Sequence, residues 1–175
     1  MTASRAPRRT HDLAQLNVGR MVAPQDSPVV ASFVDALDEI NALADAAPGF
    51  LWRFQTEDGN AMAERAFPDD DQMLVNFSTW ESTEALADYV YRSRHVEFLR
   101  RRREWFEHLQ DVVTVLWWVP AGHRPTSTEA VARLAHLREH GPSAYAFSFR
   151  DRFGPDGQPA SGPAQRTHRQ DTCPA

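Results

Sequence analysis

The stretch from Met73 to Pro125 reads MLVNFSTWESTEALADYVYRSRHVEFLRRRREWFEHLQDVVTVLWWVPAGHRP, and its reading decides the fold. From Gln72 to about Thr79, Met73, Val75 and Phe77 alternate with Leu74, Asn76 and Ser78, the period of a strand; Trp80 continues the second set. Ser82 is a good N-cap with Glu84 in the first turn, so a helix follows. One stripe on it passes through Leu86, Tyr89, Val90, Val96, Leu99 and Phe106, with a break around Ser93. A second passes through Tyr91, His95, Phe98, Arg102 and Trp105 at steps of three or four. Two stripes predict two buried surfaces. Val112 to Val119 is a near-continuous apolar strand ending at Pro120, and Ala121 to Pro125 is a turn.

Upstream, His11 to Arg20 alternates, with Leu13, Gln15, Asn17 and Gly19 opposite Ala14, Leu16, Val18 and Arg20, which predicts a first strand with amides on one face. Pro24 and Pro28 punctuate a loop. A helix follows, with Ser27 as N-cap, Pro28 in its first position and apolar residues at helical spacing from Val30 to Ala44, stopped by Pro48-Gly49. Phe50 to Gln55 reads as a strand with Phe50, Trp52 and Phe54 on one side. Residues 56–71 read as a long hairpin connection, with Met62 to Phe67 extended. Downstream, a helix from about Ser127 to His140 ends at Gly141-Pro142, and Tyr145 to Phe149 reads as a short edge strand.

The order is β-α-β-β-α-β with a C-terminal helix and short strand, which is the ferredoxin-like split βαβ unit. Its class is α+β, an antiparallel sheet with helices on one face. The other face then needs cover, and a partner sheet is the natural solution, giving a homodimer. The expected domain spans 12–150, between a disordered arm at 1–11 and a disordered Gly-, Pro- and Arg-rich tail at 151–175.

Composition excludes several chemistries. All 19 basic residues are Arg, so there is no Schiff-base or phosphate-loop Lys. The lone Cys173 cannot pair internally or build a thiolate metal cluster. A formal charge of −5 argues against nucleic acid as a partner, and Glu97, Glu104 and Glu107 stand within pairing distance of the Arg100–Arg103 run. No apolar run is long enough to span a bilayer, and no apolar core follows the basic start, so the cytoplasm is the expected location. His136-Leu-Arg-Glu-His140 matches an inverted zinc-peptidase pattern, but no downstream Glu supplies a third ligand, so no metal is assigned.

The segments GFLWRF, DGNA, LVNFSTWES, YVYRSRHVEFLRRRREWFE, VLWWVPAGHRPT and ARLAHLREHGPSAYAFSF closely resemble a bacterial family of uncharacterised proteins in the dimeric α+β barrel superfamily, alongside antibiotic-biosynthesis monooxygenases. The resemblance covers roughly residues 12 to 150. It implies a barrel-forming dimer with a cavity in each protomer. The superfamily includes cofactor-free oxygenases of phenolic substrates, ring-cleaving isomerases, haem-using enzymes and proteins with no known activity, so secondary metabolism is the implied setting.

Read for chemistry, His95 and His123 are the candidate general bases, since imidazole titrates near neutrality. Asn17, Arg53 and Asn76 are polar positions on otherwise apolar strands, the sign of a pocket-facing row. Trp52, Trp80, Tyr91, Arg103 and Trp117 complete the substrate-binding set. Trp117 and Trp118 must face opposite sides, so at most one lines a cavity. The leading expectation is a cofactor-independent monooxygenase or cyclase/isomerase acting on an aromatic or enolisable small molecule, held by Arg53 or Arg103 and hydrogen-bonded by Asn17 and Asn76. The alternatives are a haem protein using His95 or His123 as axial ligand, and a non-enzymatic ligand-binding dimer.

Overall fold

The computed structural model describes residues 9–160. The elements are β1 (His11–Arg20), α1 (Ala31–Asp45), β2 (Phe50–Arg53), β3 (Met73–Trp80), α2 (Thr83–Arg92), α3 (His95–Arg101), β4 (Thr114–Pro120) and α4 (Ser127–His140), with a 3-10 turn at Arg102–Glu104. The four strands form one sheet in the order β2-β3-β1-β4, every pair antiparallel. With helices between β1 and β2 and between β3 and β4, this is the ferredoxin-like arrangement, an α+β fold.

Strand alternation gives the sheet two faces of different character. On the first, Leu13, Gln15 and Asn17 of β1 lie opposite Trp80, Ser78 and Asn76 of β3, and opposite Trp118, Leu116 and Thr114 of β4. Leu86 and Val90 of α2 bury themselves on Leu13, Trp80 and Leu116 here. The second face is apolar: Ala14, Leu16, Val18, Val75, Phe77, Val115, Trp117 and Val119 form one buried cluster with Ala130, Leu134 and Leu137 of α4. Sequence reasoning assigns this face to a partner sheet. Instead α4 of the same chain covers it, with partly buried Ala66 and Phe67 alongside, because three apolar residues at helical spacing suffice to close it.

Local chemistry sets the boundaries. The Ser82 hydroxyl accepts the Ala85 N–H at 3.1 Å, and the Thr126 hydroxyl accepts the Glu129 N–H at 3.2 Å. Helix α1 begins three residues later than its sequence suggests. Ser27 and Pro28 sit in tight turns, the Ser27 carbonyl accepting the Val30 N–H at 3.1 Å. Gly49 closes the α1–β2 connection at φ +79°, where a Cβ would lie 2.6 Å from the Ala85 Cβ. Residues 62–67 form a turn and a bend joined by irregular chain, with no strand.

The C-terminal part also departs from expectation. The edge strand expected at 145–149 is a single bridge, Phe147 exchanging two backbone hydrogen bonds with Leu116 at 2.8 and 2.9 Å. The expected tail from 151 starts too early. Residues 151–160 fold back on the domain: the Trp118 indole N–H donates to the Phe153 carbonyl at 2.7 Å, and Arg152 pairs with Glu84 at 3.2 Å. At the other end Arg9 pairs with the buried Asp12 at 2.6 Å. The rest of the expected arm and tail, with Cys173, lies outside the described residues.

Candidate functional site

Helix α1 has no buried residue, which is unusual for a helix that faces a sheet. The reason is what lies beneath it. Its inner residues Leu37, Ile40, Asn41 and Ala44 line a cavity between the helices and the first sheet face. The helix is pinned along its length rather than seated. The Trp105 indole N–H donates to the Ser32 hydroxyl at 2.9 Å, Phe33 packs on Trp105 and Phe106, Glu39 pairs with Arg94 at 2.9 Å, and Asp45 pairs with Arg53 at 2.9 Å.

The cavity has two adjoining lobes that share Asn17, Ile40, Asn41, Asn76 and His95. The larger leaves about 100 Å³ for the centres of water-sized molecules and is walled by Phe33, Phe54, Phe98, Trp105 and Phe106 with Leu37, Met62 and Leu74. That is room for several waters or a small organic molecule. The smaller, about 50 Å³, is lined by Gln15, Ser78, Trp80, Tyr89, Arg53 and Phe149 among others. A polar waist therefore separates an aromatic lobe from a mixed one.

Each waist residue is positioned by a definite device. Asn17 and Asn76 are Cα partners in the β1–β3 ladder, so alternation aims both at the same face, with Thr114 directly opposite Asn17 on β4. The next row secures itself: the Gln15 amide donates to the Ser78 hydroxyl oxygen at 3.0 Å, which also accepts the Trp80 indole N–H at 2.8 Å.

His95 is placed by the break at Ser93, whose hydroxyl donates to the Tyr89 carbonyl at 2.5 Å and accepts the His95 N–H at 3.1 Å. The chain turns there, and the His95 ring comes to rest 4.7 Å from Tyr89, itself 5.1 Å from Trp80. Burial pushes the imidazole below its ordinary 6.5, opposed by the nearby Val90 carbonyl, and the net shift favours the uncharged ring. With the proton on Nδ1, 3.5 Å from that carbonyl, Nε2 keeps its lone pair. Burial likewise raises the Tyr89 hydroxyl well above its ordinary 10, so it stays protonated.

Of the residues singled out by sequence, Asn17, Asn76, His95, Arg53 and Trp80 all line the cavity. Five others do not. Trp117 lies on the opposite face, its indole N–H donating to Glu129 at 3.1 Å. Trp52 packs there too, 6.0 Å from Phe77, because a register irregularity between Phe50 and Trp52 turns Phe50 to the cavity side instead. Tyr91 is 38% exposed and packs edge-on against Phe149: the steps of three and four that joined it to His95 hold only along an unbroken helix. Arg103 is exposed beside Arg102 and His108, away from the cavity. His123 is in an exposed turn with Nε2 2.8 Å from Glu129.

Arg53 lines the smaller lobe, yet its guanidinium is already engaged, twice by Asp45 at 2.9 and 3.3 Å and once by the Gly59 carbonyl at 2.9 Å. Asn41 escaped sequence reading. Its signal was an amide on the inner, otherwise apolar stripe of α1, adjacent to Ile40.

Among the described residues no group of three or more His, Cys, Asp or Glu is arranged to hold a metal ion. His136 and His140 stack at 4.5 Å on the outside of α4. Within the Arg-rich segment Arg101 pairs with Glu104, and Arg92 with Asp88. Glu107 pairs instead with Arg20 of β1. No described helix is long and apolar enough to cross a membrane.

Topology and cavity together define a ferredoxin-like α+β protein with a polar-waisted pocket between sheet and helices. The chain belongs to the family described as a domain of unknown function, DUF3291, whose model matches residues 12–163. No curated protein matches the chain. Among solved structures it is similar to a protein of unknown function from Nitrosomonas europaea (11% identity, 68% of this chain and 97% of that one, TM-score 0.42). It is also similar to a protein from Pseudomonas aeruginosa (14%, 69% and 100%, 0.42). A third is a monooxygenase from Streptomyces coelicolor in complex with nanaomycin D (17%, 67% and 93%, 0.39). Likeness at this level says nothing about chemistry.

Proposed function

We propose that the protein binds a flat aromatic or enolisable small molecule in this cavity and removes a proton from it, as a cofactor-independent monooxygenase or a cyclase/isomerase of the bacterial cytoplasm. One observation carries the reading: the buried His95 imidazole, whose uncharged form burial favours, stands with three side-chain amides, Asn17, Asn41 and Asn76, around the waist of an otherwise largely apolar, aromatic-walled pocket. An unprotonated His is the acceptor that an O–H or acidic C–H needs, and amide N–H groups stabilise the oxyanion left behind. The aromatic walls bind the ring by area and stacking. Oxygen uptake separates the oxygenase from the isomerase, since both begin with the same proton transfer.

Haem fits these residues less well. Arg53, the arginine that lines the cavity among the described residues, already has its guanidinium held by Asp45, and the second candidate ligand, His123, is bonded to Glu129 outside the pocket. The protein also forms a homodimer. With α4 over the second sheet face, two copies pair through another surface or exchange α4, and native mass spectrometry distinguishes these from a monomer.

The decisive experiment incubates the protein with phenols, naphthols and 1,3-diketones, following oxygen uptake and product mass, with His95→Gln alongside. The expected result is turnover that falls about 100-fold or more in the variant while binding persists. A compound that raises the melting temperature but is never converted would leave a ligand-binding protein without catalysis. A panel with no binder at all would sink the proposal.

A further inference from the structure

Among the described residues, the titratable groups lining the two lobes are His95, Tyr89 and Arg53. The Arg53 guanidinium is engaged by Asp45 and the Gly59 carbonyl, and burial favours the uncharged forms of His95 and Tyr89. The other polar side chains lining the lobes, among the described residues, are amides and hydroxyls, which carry no charge. Arg53 lines the smaller lobe and pairs with Asp45 at 2.9 Å, so the cation there is matched by a carboxylate of the same chain. The carboxylate comes from the last residue of α1, the helix that roofs the cavity, so neutralisation is built into the roof's own anchor.

We infer that the cavity selects an uncharged, planar molecule bearing hydroxyl or carbonyl oxygens, and that Asp45 is the specificity-determining residue that keeps Arg53 from recruiting anionic analogues. A carboxylate entering this pocket would lose its hydration and meet amides, an imidazole and an already satisfied guanidinium. A neutral hydroxyl or carbonyl exchanges water for amide N–H groups at little loss. The inference rests on the reading of the cavity as a ligand site and adds which charge state the ligand has.

The test compares 2-naphthol with 2-naphthoate by calorimetry at pH 7, on the full chain and on Asp45→Asn. The expected result is that 2-naphthol binds at least about tenfold more tightly to the native chain. In Asp45→Asn the freed guanidinium raises 2-naphthoate affinity about tenfold and leaves 2-naphthol unchanged. Adding Arg53→Gln to Asp45→Asn restores the preference for 2-naphthol and controls for altered packing. Naphthoate binding as tightly as naphthol to the native chain overturns the inference while leaving the ligand-site reading in place. An unchanged ratio in Asp45→Asn removes the role of Asp45. Binding of neither compound removes both the inference and the reading beneath it.

Discussion

Gly49 offers a matched experiment on how tightly the helices close around the cavity. It lies four residues after Asp45 and four before Arg53, with φ +79° and with space for a Cβ blocked by the Ala85 Cβ at 2.6 Å. Gly59 has nearly the same backbone, φ +78°, but nothing within 4 Å of its missing Cβ. In Gly59→Ala only the left-handed backbone opposes the methyl, roughly 1–2 kcal/mol, less about 0.4–1 recovered from the stiffer unfolded chain. The expected loss is about 1 kcal/mol. Gly49→Ala carries the same backbone cost and also forces a methyl into a carbon whose own backbone belongs to α2, so the overpacking cost of about 1–3 kcal/mol adds. Urea unfolding with a slope near 2 kcal/mol/M translates that extra cost into a midpoint lower by about 0.5–1.5 M than in Gly59→Ala. Relief would come from pushing the end of α1 away from α2, so 2-naphthol binding should weaken in the Gly49 variant alone. Equal midpoints in the two variants would refute the contact and the tight closure inferred from it.

Two further outcomes test the site and its scaffold. His95 is held below its unfolded value of 6.5, so below that pH the unfolded chain takes up a proton that the folded one refuses. Stability should therefore be complete above the unfolded value and fall as the solution is acidified, by up to about 1.4 kcal/mol per pH unit from this group, and His95→Gln should remove that component; matching acid profiles would show that His95 is not buried neutral. On the other sheet face, Leu134→Ala should cost about 2–5 kcal/mol by cavity formation, measured by denaturation, with ligand affinity at 25 °C retained. A loss below about 1 kcal/mol would mean that α4 does not close that face in the isolated chain.

The alternating strands, the Ser82 cap, the Gly141-Pro142 stop and the order of elements are local signals, and local sterics and hydrogen bonding write them directly into the sequence. They were sufficient for the ferredoxin-like topology and for placing Asn17 and Asn76 on a common face. A strand period of two leaves no freedom once register is set by the apolar side. The break at Ser93 was also legible, but its consequence was not. Projecting a helical stripe across it joined Tyr91 to His95, whereas the turn sends His95 inward and leaves Tyr91 outside.

The remaining decisions belong to the tertiary structure. Whether an apolar sheet face meets a partner or the chain's own α4 depends on where a loop delivers that helix, and both choices bury the same residues. The irregularity between Phe50 and Trp52 exchanges which aromatic faces the cavity, a one-residue slip invisible to any alternation count. That Arg53 is spent on Asp45 follows from how the α1–β2 connection folds the chain back on itself, and that α1 spans a cavity instead of sealing it follows from how distant segments pin it. Sequence fixes periodicity and local caps because those are properties of neighbours. Which polar groups find one another, and so which remain for a ligand, is a property of the packed chain.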